Sequence, residues 1–401
     1  MKKRLLSVLL LVCMVLTLLP TAALAGDMHE HDALPAAAHT HCFCGGNVNA
    51  GDHTSHSNVT YKAWNGTSSI SYTNNTAYVY LTNNITLNSS LSLQLGKTLY
   101  LCLNGYTLNL EGSSYIWIGS KGAALYLCDC SAEKTGTVSG GSNYCVSVDD
   151  NISSNAAFNM YGGTLRDGKK SHGGGVDVHA GTMNMYGGTI TENTATSDGG
   201  GIFVNTSGAL NLYGGTITKN KVNTNEDHHG GGVYVESNFK TGVGKISISG
   251  SPVIPGNTRT YTPTSTTTTE NVYLSYGFTN SGDLPIIKLG TLTSGADIGI
   301  WAGVNVFSDA SETDYSGYFS SDVAGYHVEY NAAKKLELKS GEAHVHSGGT
   351  ADCQHKAVCT HRRMRPSAAG FFSACPQDAD ARRFFRIQTD IRRNLVFCGC
   401  L

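Results

Sequence analysis

Histidines and cysteines crowd a short polar stretch near the start of the chain: His29, His31, His39, His41, Cys42, Cys44, His53 and His56. Imidazole and thiolate are zinc ligands, and His39, His41, Cys42 and Cys44 form the most closely spaced set that could hold that ion. Cys-x-Cys is less diagnostic than two Cys-x2-Cys pairs, and in an exported chain Cys42 and Cys44 can instead be oxidised. The same residues also read as a solvated tail with no metal and no other cofactor.

Carboxylates are the second group that could do chemistry. Asp149, Asp150, Asp177, Asp198, Asp227 and Glu236 are spread over the middle of the chain. Cleaving a polysaccharide takes clustered carboxylates, or calcium with a basic proton acceptor. Asp177 faces outward on its strand, but Phe203 and Tyr234 hold its place in the following repeats. Glu236 is matched by His179 and Asn205 rather than by a second acid. Asp198 and Asp227 precede glycine corners, where Asp is an ordinary turn residue. His228 and His229 fall in such a corner and read as a solvated turn. No nucleophile motif unites Ser, His and Asp. The expectation is no catalytic residue, with a polysaccharide lyase or glycoside hydrolase as the alternative.

The third group is a recurring pair. Tyr161, Tyr186 and Tyr213 each follow an asparagine two residues earlier: Asn159, Asn184 and Asn211. An aromatic strip flanked by amides suits extended sugars, whose apolar faces rest on rings while hydroxyls meet amides. The competing account is that like residues stack only to stabilise a sheet.

The elements that must position these side chains are repeats. Asn-Met/Leu-Tyr-Gly-Gly-Thr occurs at 159–164, 184–189 and 211–216. Gly-Gly-Gly-Val/Ile alternates with it at 173–176, 199–202 and 230–233. The asparagines stand 25 and 27 residues apart, a solenoid period. Each repeat holds two short strands punctuated by glycine, and Thr189-Ile190-Thr191 adds a third. The fold class is therefore all-β, a right-handed parallel β-helix of about nine rungs.

Period-two alternation assigns the faces. Phe158, Met183, Leu210 and Ile246 share one inward position; Met160, Met185, Leu212 and Ile248 share the next. Val176, Ile202 and Val233 stack inside the second strand, as do Val178, Val204 and Val235. Glycine runs supply positive φ at the corners. Leu99 and Leu125 match Phe158, so the helix begins before the obvious copies. Cys102 and Cys128 match Tyr161. A Cys102–Cys128 disulfide is open, as is an unbridged pair with Cys130 and Cys145 competing. Thr260 to Thr269 reads as a bulging loop, and 296–307 and 326–338 read as closing strands.

Lys2, Lys3 and Arg4, the apolar run Leu5 to Leu19 and Ala23-Leu24-Ala25 compose an export signal, so 1–25 is read as a signal peptide. The polar His/Cys segment is 26–60, the β-helix with its caps 61–340 and a Cys/Arg-rich tail 341–401. With 48 glycines, 20 tyrosines and 14% charged residues, the composition is that of extracellular β structure. A net charge of −2 gives no argument for nucleic acid. After Cys353 and Cys359, Arg362, Arg363, Arg365, Arg382, Arg383, Arg386, Arg392 and Arg393 crowd the end. The tail is either a basic binding element or sequence read out of frame after about 359.

Gly-Gly-Thr-Ile-Thr-x-Asn at 187–193 and 214–220, with the triple glycines between copies, resembles the repeats of large secreted β-helix proteins of Gram-positive gut-type bacteria. More loosely it is similar to repeats of polymorphic outer-membrane adhesins. Ser249 to Ile254, with Asn257 and Asn271 to Leu274, resembles terminal rungs of the first group. The resemblance implies a β-helix at the cell surface and supplies no catalytic residue. The expectation is a secreted, extracellular or cell-surface monomer, without a membrane span after signal removal. Its role would be non-enzymatic interaction or adhesion with glycans or surface polymers, or that of an inert spacer.

Overall fold

The computed structural model describes residues 57–341, apart from 95, 120–121, 150–154, 239–240, 277–283 and 304. It also describes the backbone of three short strands, His39–Phe43, Phe372–Ala374 and Leu395–Phe397. The chain coils as a parallel β-helix. Its first face is a ladder of nine parallel strands, one per rung. They run from Ser57–Trp64 through Thr98–Cys102, Ala124–Cys128 and Ala157–Met160 to Ile287–Leu292. A second face carries Ile116–Ile118, Val146–Asp149, Val233–Val235 and Val272–Leu274. A third carries Thr164–Arg166, Thr189–Thr191 and Thr216–Thr218. Val176–Met185 and Ile202–Leu212 run unbroken from the second face to the first, bending at a register shift between Val178 and Ala180.

Alternation decides which side is core. Phe158, Met183 and Leu210 are aligned in register and fully buried, and Ile246 continues them. Met160, Met185, Leu212 and Ile248 form the neighbouring buried row. One continuous apolar cluster runs from Trp64 to Leu338. Each rung therefore shares one core with the rungs beside it.

The two glycine phrases serve different needs. In Tyr-Gly-Gly-Thr the second glycine has positive φ, +85° at Gly188 and +84° at Gly215. The Met160 methyl lies 2.6 Å from where a Gly188 Cβ would stand, and the Met185 methyl 2.6 Å from that of Gly215. Each methionine thus fills the hollow under the next rung's corner. In the triple glycines only the first has positive φ. The second and third are required by stacking, since a Cβ on Gly200 would stand 2.4 Å from the Gly231 carbonyl oxygen.

A buried asparagine row closes a further corner. The Asn220 side chain accepts from the Asn193 main-chain N–H at 3.1 Å and donates to the Ile190 carbonyl at 2.9 Å. Asn257 repeats this one rung on, and Asn271 receives the Asn257 main-chain N–H. The row ends on Asp322, which accepts from the Asn271 amide and main chain at 2.7 Å each. Burial pushes the Asp322 carboxyl up to about 6 against these hydrogen bonds.

Three expectations are corrected. The threonine-rich segment is an antiparallel hairpin, Thr258–Tyr261 with Thr266–Thr269, extending a short sheet beside the triple-glycine corner. Asp297–Ala302 is a true rung, parallel to its neighbours, and the cap is the antiparallel pair Tyr326–Tyr330 and Leu336–Ser340. At the other end His39–Phe43, read as part of a solvated tail, pairs antiparallel with residues 57–61 of the first strand. In the tail, Phe372–Ala374 and Leu395–Phe397 pair in parallel. The export signal lies outside the described residues. Among those described, no helix is long and apolar enough to cross a membrane.

Candidate functional site

Of the four proposed zinc ligands, His39, His41 and Cys42 lie on the strand that pairs with Ser57–Trp64, opposite Tyr61, Val59 and Asn58. Cys44 lies outside the described residues.

The asparagine and tyrosine rows are where alternation places them. Asn184 donates to the Asn159 carbonyl and Asn211 to that of Asn184, both at 2.8 Å. The Tyr161 and Tyr186 rings stack at 4.5 Å, and those of Tyr186 and Tyr213 at 4.8 Å and 7°. All three are half-buried, and burial holds the Tyr161 and Tyr186 phenols above their ordinary value. A ring sandwiched at this spacing offers its edge and hydroxyl to a ligand rather than its face. The amides likewise satisfy one another along the row.

The second face carries a longer aromatic row that the sequence reading did not single out. Phe203, Tyr234, Tyr273 and Trp301 stack in succession, with centroids 5.6, 5.5 and 4.5 Å apart. Only Phe203 and Tyr234 belong to glycine-marked repeats, so the row was hidden in the later rungs. Trp301 lines a cleft of about 300 Å³ beneath the cap, together with Tyr276, Asn305 and Tyr326. Tyr276 is 48% and Tyr326 42% exposed, unusual for large side chains here.

His228 and His229 are not a solvated turn. The His229 ring lies on Tyr273 at 4.1 Å, and its two nitrogens reach Glu270 at 3.1 Å and Asp227 at 2.9 Å. His228 reaches Asp198 at 3.1 Å. Glu270, nearly fully buried, also accepts the Gly230 N–H at 2.9 Å. These carboxylates tie the wide corner to the rungs on either side.

At the other end of the aromatic row stands Asp177. Sequence comparison of adjacent repeats found no acid pair, yet Asp149, one rung below, is near enough to raise the Asp177 carboxyl. Asp177 pairs with Ser147, and Asp149 lies two residues further along that strand, aligned with Ala180 after a register shift. Burial pushes the Asp177 carboxyl up to about 7; His179 and Lys170 pull it down, while Asp149 and Glu236 raise it. One oxygen each of Asp149 and Asp177 is buried without a hydrogen-bond partner among the described residues.

A pH dependence follows. A folded-state value above the unfolded one means the native protein holds the proton more tightly, so this contribution is full below about 4 and lost as pH rises through about 7. Asp177→Asn should therefore melt higher than the parent at pH 8, by roughly 1–3 kcal/mol, with the difference vanishing near pH 4. Melting curves of both proteins across this range check it.

Among the described residues, one group of three metal-ligand side chains converges: Cys102, Cys128 and Cys130, with sulfurs all within 4.8 Å of one another. Alternation had placed Cys102 and Cys128 together, and they are in register. They are not joined by a disulfide. Comparison with family models, curated proteins and solved structures found no match to this chain.

Proposed function

We propose that this is a secreted or cell-surface β-helix protein that binds extended glycans without cleaving them. The observation that carries the reading is the cleft where the second-face aromatic row ends, walled by Trp301 and the exposed rings of Tyr276 and Tyr326. Exposed apolar ring surface beside an amide, that of Asn305, suits a sugar, which presents C–H faces and hydroxyls together. The long first face, with the half-buried Tyr161, Tyr186, Tyr213, Asn184 and Asn211 beside the buried Asn159, offers phenol hydroxyls and ring edges over several rungs as a second contact strip. The resemblance of the glycine phrases to secreted surface repeats agrees with an extracellular role.

Glycan-array and mucin binding by the full chain test this. Tyr276→Ala with Tyr326→Ala should lower affinity at least tenfold with little change in melting, because both rings are exposed. Tyr186→Thr with Tyr213→Thr keeps strand propensity and isolates the first face. A parent protein that binds no glycan defeats the proposal and leaves an inert spacer. The polysaccharide-cleaving reading is favoured by one observation, the raised Asp177 beside Asp149. Release of reducing or unsaturated ends, lost in Asp177→Asn, would establish it in place of simple binding.

A further inference from the structure

We propose that Cys102, Cys128 and Cys130 form a trigonal thiolate site for a soft monovalent metal ion of the copper(I) class. The convergence follows from strand geometry. Cys102 and Cys128 are in register on adjacent rungs, so their side chains stack. Cys130 lies just past the end of the Ala124–Cys128 strand, and the turn there brings its sulfur to the same side. The Cys128 and Cys130 sulfurs are 3.9 Å apart. In a planar site with metal–sulfur bonds of about 2.3 Å the sulfurs would stand about 4.0 Å apart. All three already lie within 4.8 Å, so closing on an ion asks for only small side-chain movements.

The turn after Cys128 holds the third sulfur in place. Asp129 accepts from the main-chain N–H groups of Gly105 at 2.8 Å and Ser131 at 3.1 Å through one oxygen. Its other oxygen accepts from Gly136. Lys134 donates to the Asp129 carbonyl at 3.0 Å. The nearest carboxylate in the chain is thereby engaged with backbone, and no His, Asp or Glu joins the sulfur group among the described residues. Zinc takes four ligands in a structural site, whereas all-thiolate sites of low coordination select copper(I). The surroundings are those of a soft ion as well. Tyr61 and Tyr80 pack with Cys102 and Cys128 in a cluster separate from the main core, and Tyr100, Tyr126 and Tyr161 lean on it. Cys102 and Cys128 are buried while Cys130 is half-exposed, which gives an ion one way in.

The test uses the full chain, reduced and kept anaerobic, with copper(I) delivered from a competing chromophoric chelator. The parent should retain one equivalent more than Cys130→Ser or Cys102→Ser, and retain it at free copper(I) at least a hundredfold lower. The other cysteines are common to all three proteins and cancel. Copper(I) should raise the parent's melting temperature and leave that of Cys130→Ser unchanged, and X-ray absorption should show three sulfur neighbours. Cys130 is half-exposed, so its variant keeps the fold even if Cys102→Ser does not. Equal retention by parent and Cys130→Ser overturns the proposal. So does zinc outcompeting copper(I) at the site, or a peptide map of protein purified without reductant in which two of the three are joined as a disulfide.

Discussion

Met185→Asp will abolish cooperative melting over several rungs of the helix. Met185 is fully buried between Met160 and Leu212, and its methyl fills the hollow beneath the Gly215 corner. An aspartate there loses the packing and leaves a carboxylate with no partner in an apolar row. The effective cost of such a buried charge is several kcal/mol, and protonating the group to avoid it costs nearly as much at neutral pH. Cavity formation adds about 2–5 kcal/mol, as for other truncations of core methionine. Because each rung's core is its neighbours, the loss spreads along the helix. Met185→Leu is the matched control, expected to cost less than about 1.5 kcal/mol because it keeps most of the volume. Thermal melting and limited proteolysis of the two variants check this. An unchanged melting temperature for the aspartate variant would disprove the register of the first face.

Asn220→Ala is expected to cost about 3–5 kcal/mol, more than most changes of a polar residue. The side chain is fully buried. It serves the main chain of Asn193, the carbonyls of Ile190 and Thr218, and the Asn257 amide. Alanine removes all of these at once, so several buried polar groups lose their partners. Asn220→Asp keeps the acceptor for Asn193 but faces the Ile190 and Thr218 carbonyls with oxygen instead of N–H. It should therefore be destabilised as well, and increasingly as pH rises. Denaturant unfolding of both variants, with hydrogen exchange at the Asn193 main-chain N–H in the alanine variant, checks the prediction. Exchange there as slow as in the parent would show that the row is not a fastening between rungs.

The repeated phrases were sufficient by themselves for the β-helix, for its inward rows and for the stacking of Asn159, Asn184 and Asn211 with their tyrosines. The physical reason is that a solenoid converts sequence period into spatial neighbourhood, so identical spacing places like residues on like rungs. Asn193, Asn220 and Asn257 were also visible as repeat-ending residues, but not that their amides bond the rungs together. That role needs the corner to bring main-chain groups of two rungs against one side chain. Where spacing drifts, only the tertiary structure could decide. The register shift beside Val148 aligns Asp149 with Ala180 instead of His179, which counting from the triple glycines does not foresee. Tyr273 and Trp301 lie in rungs without a glycine phrase, and only pairing with Tyr234 reveals their row. Cys130 sits in a turn rather than a strand repeat, and the Asp129 hydrogen bonds of that turn, not any period, bring its sulfur to the other two.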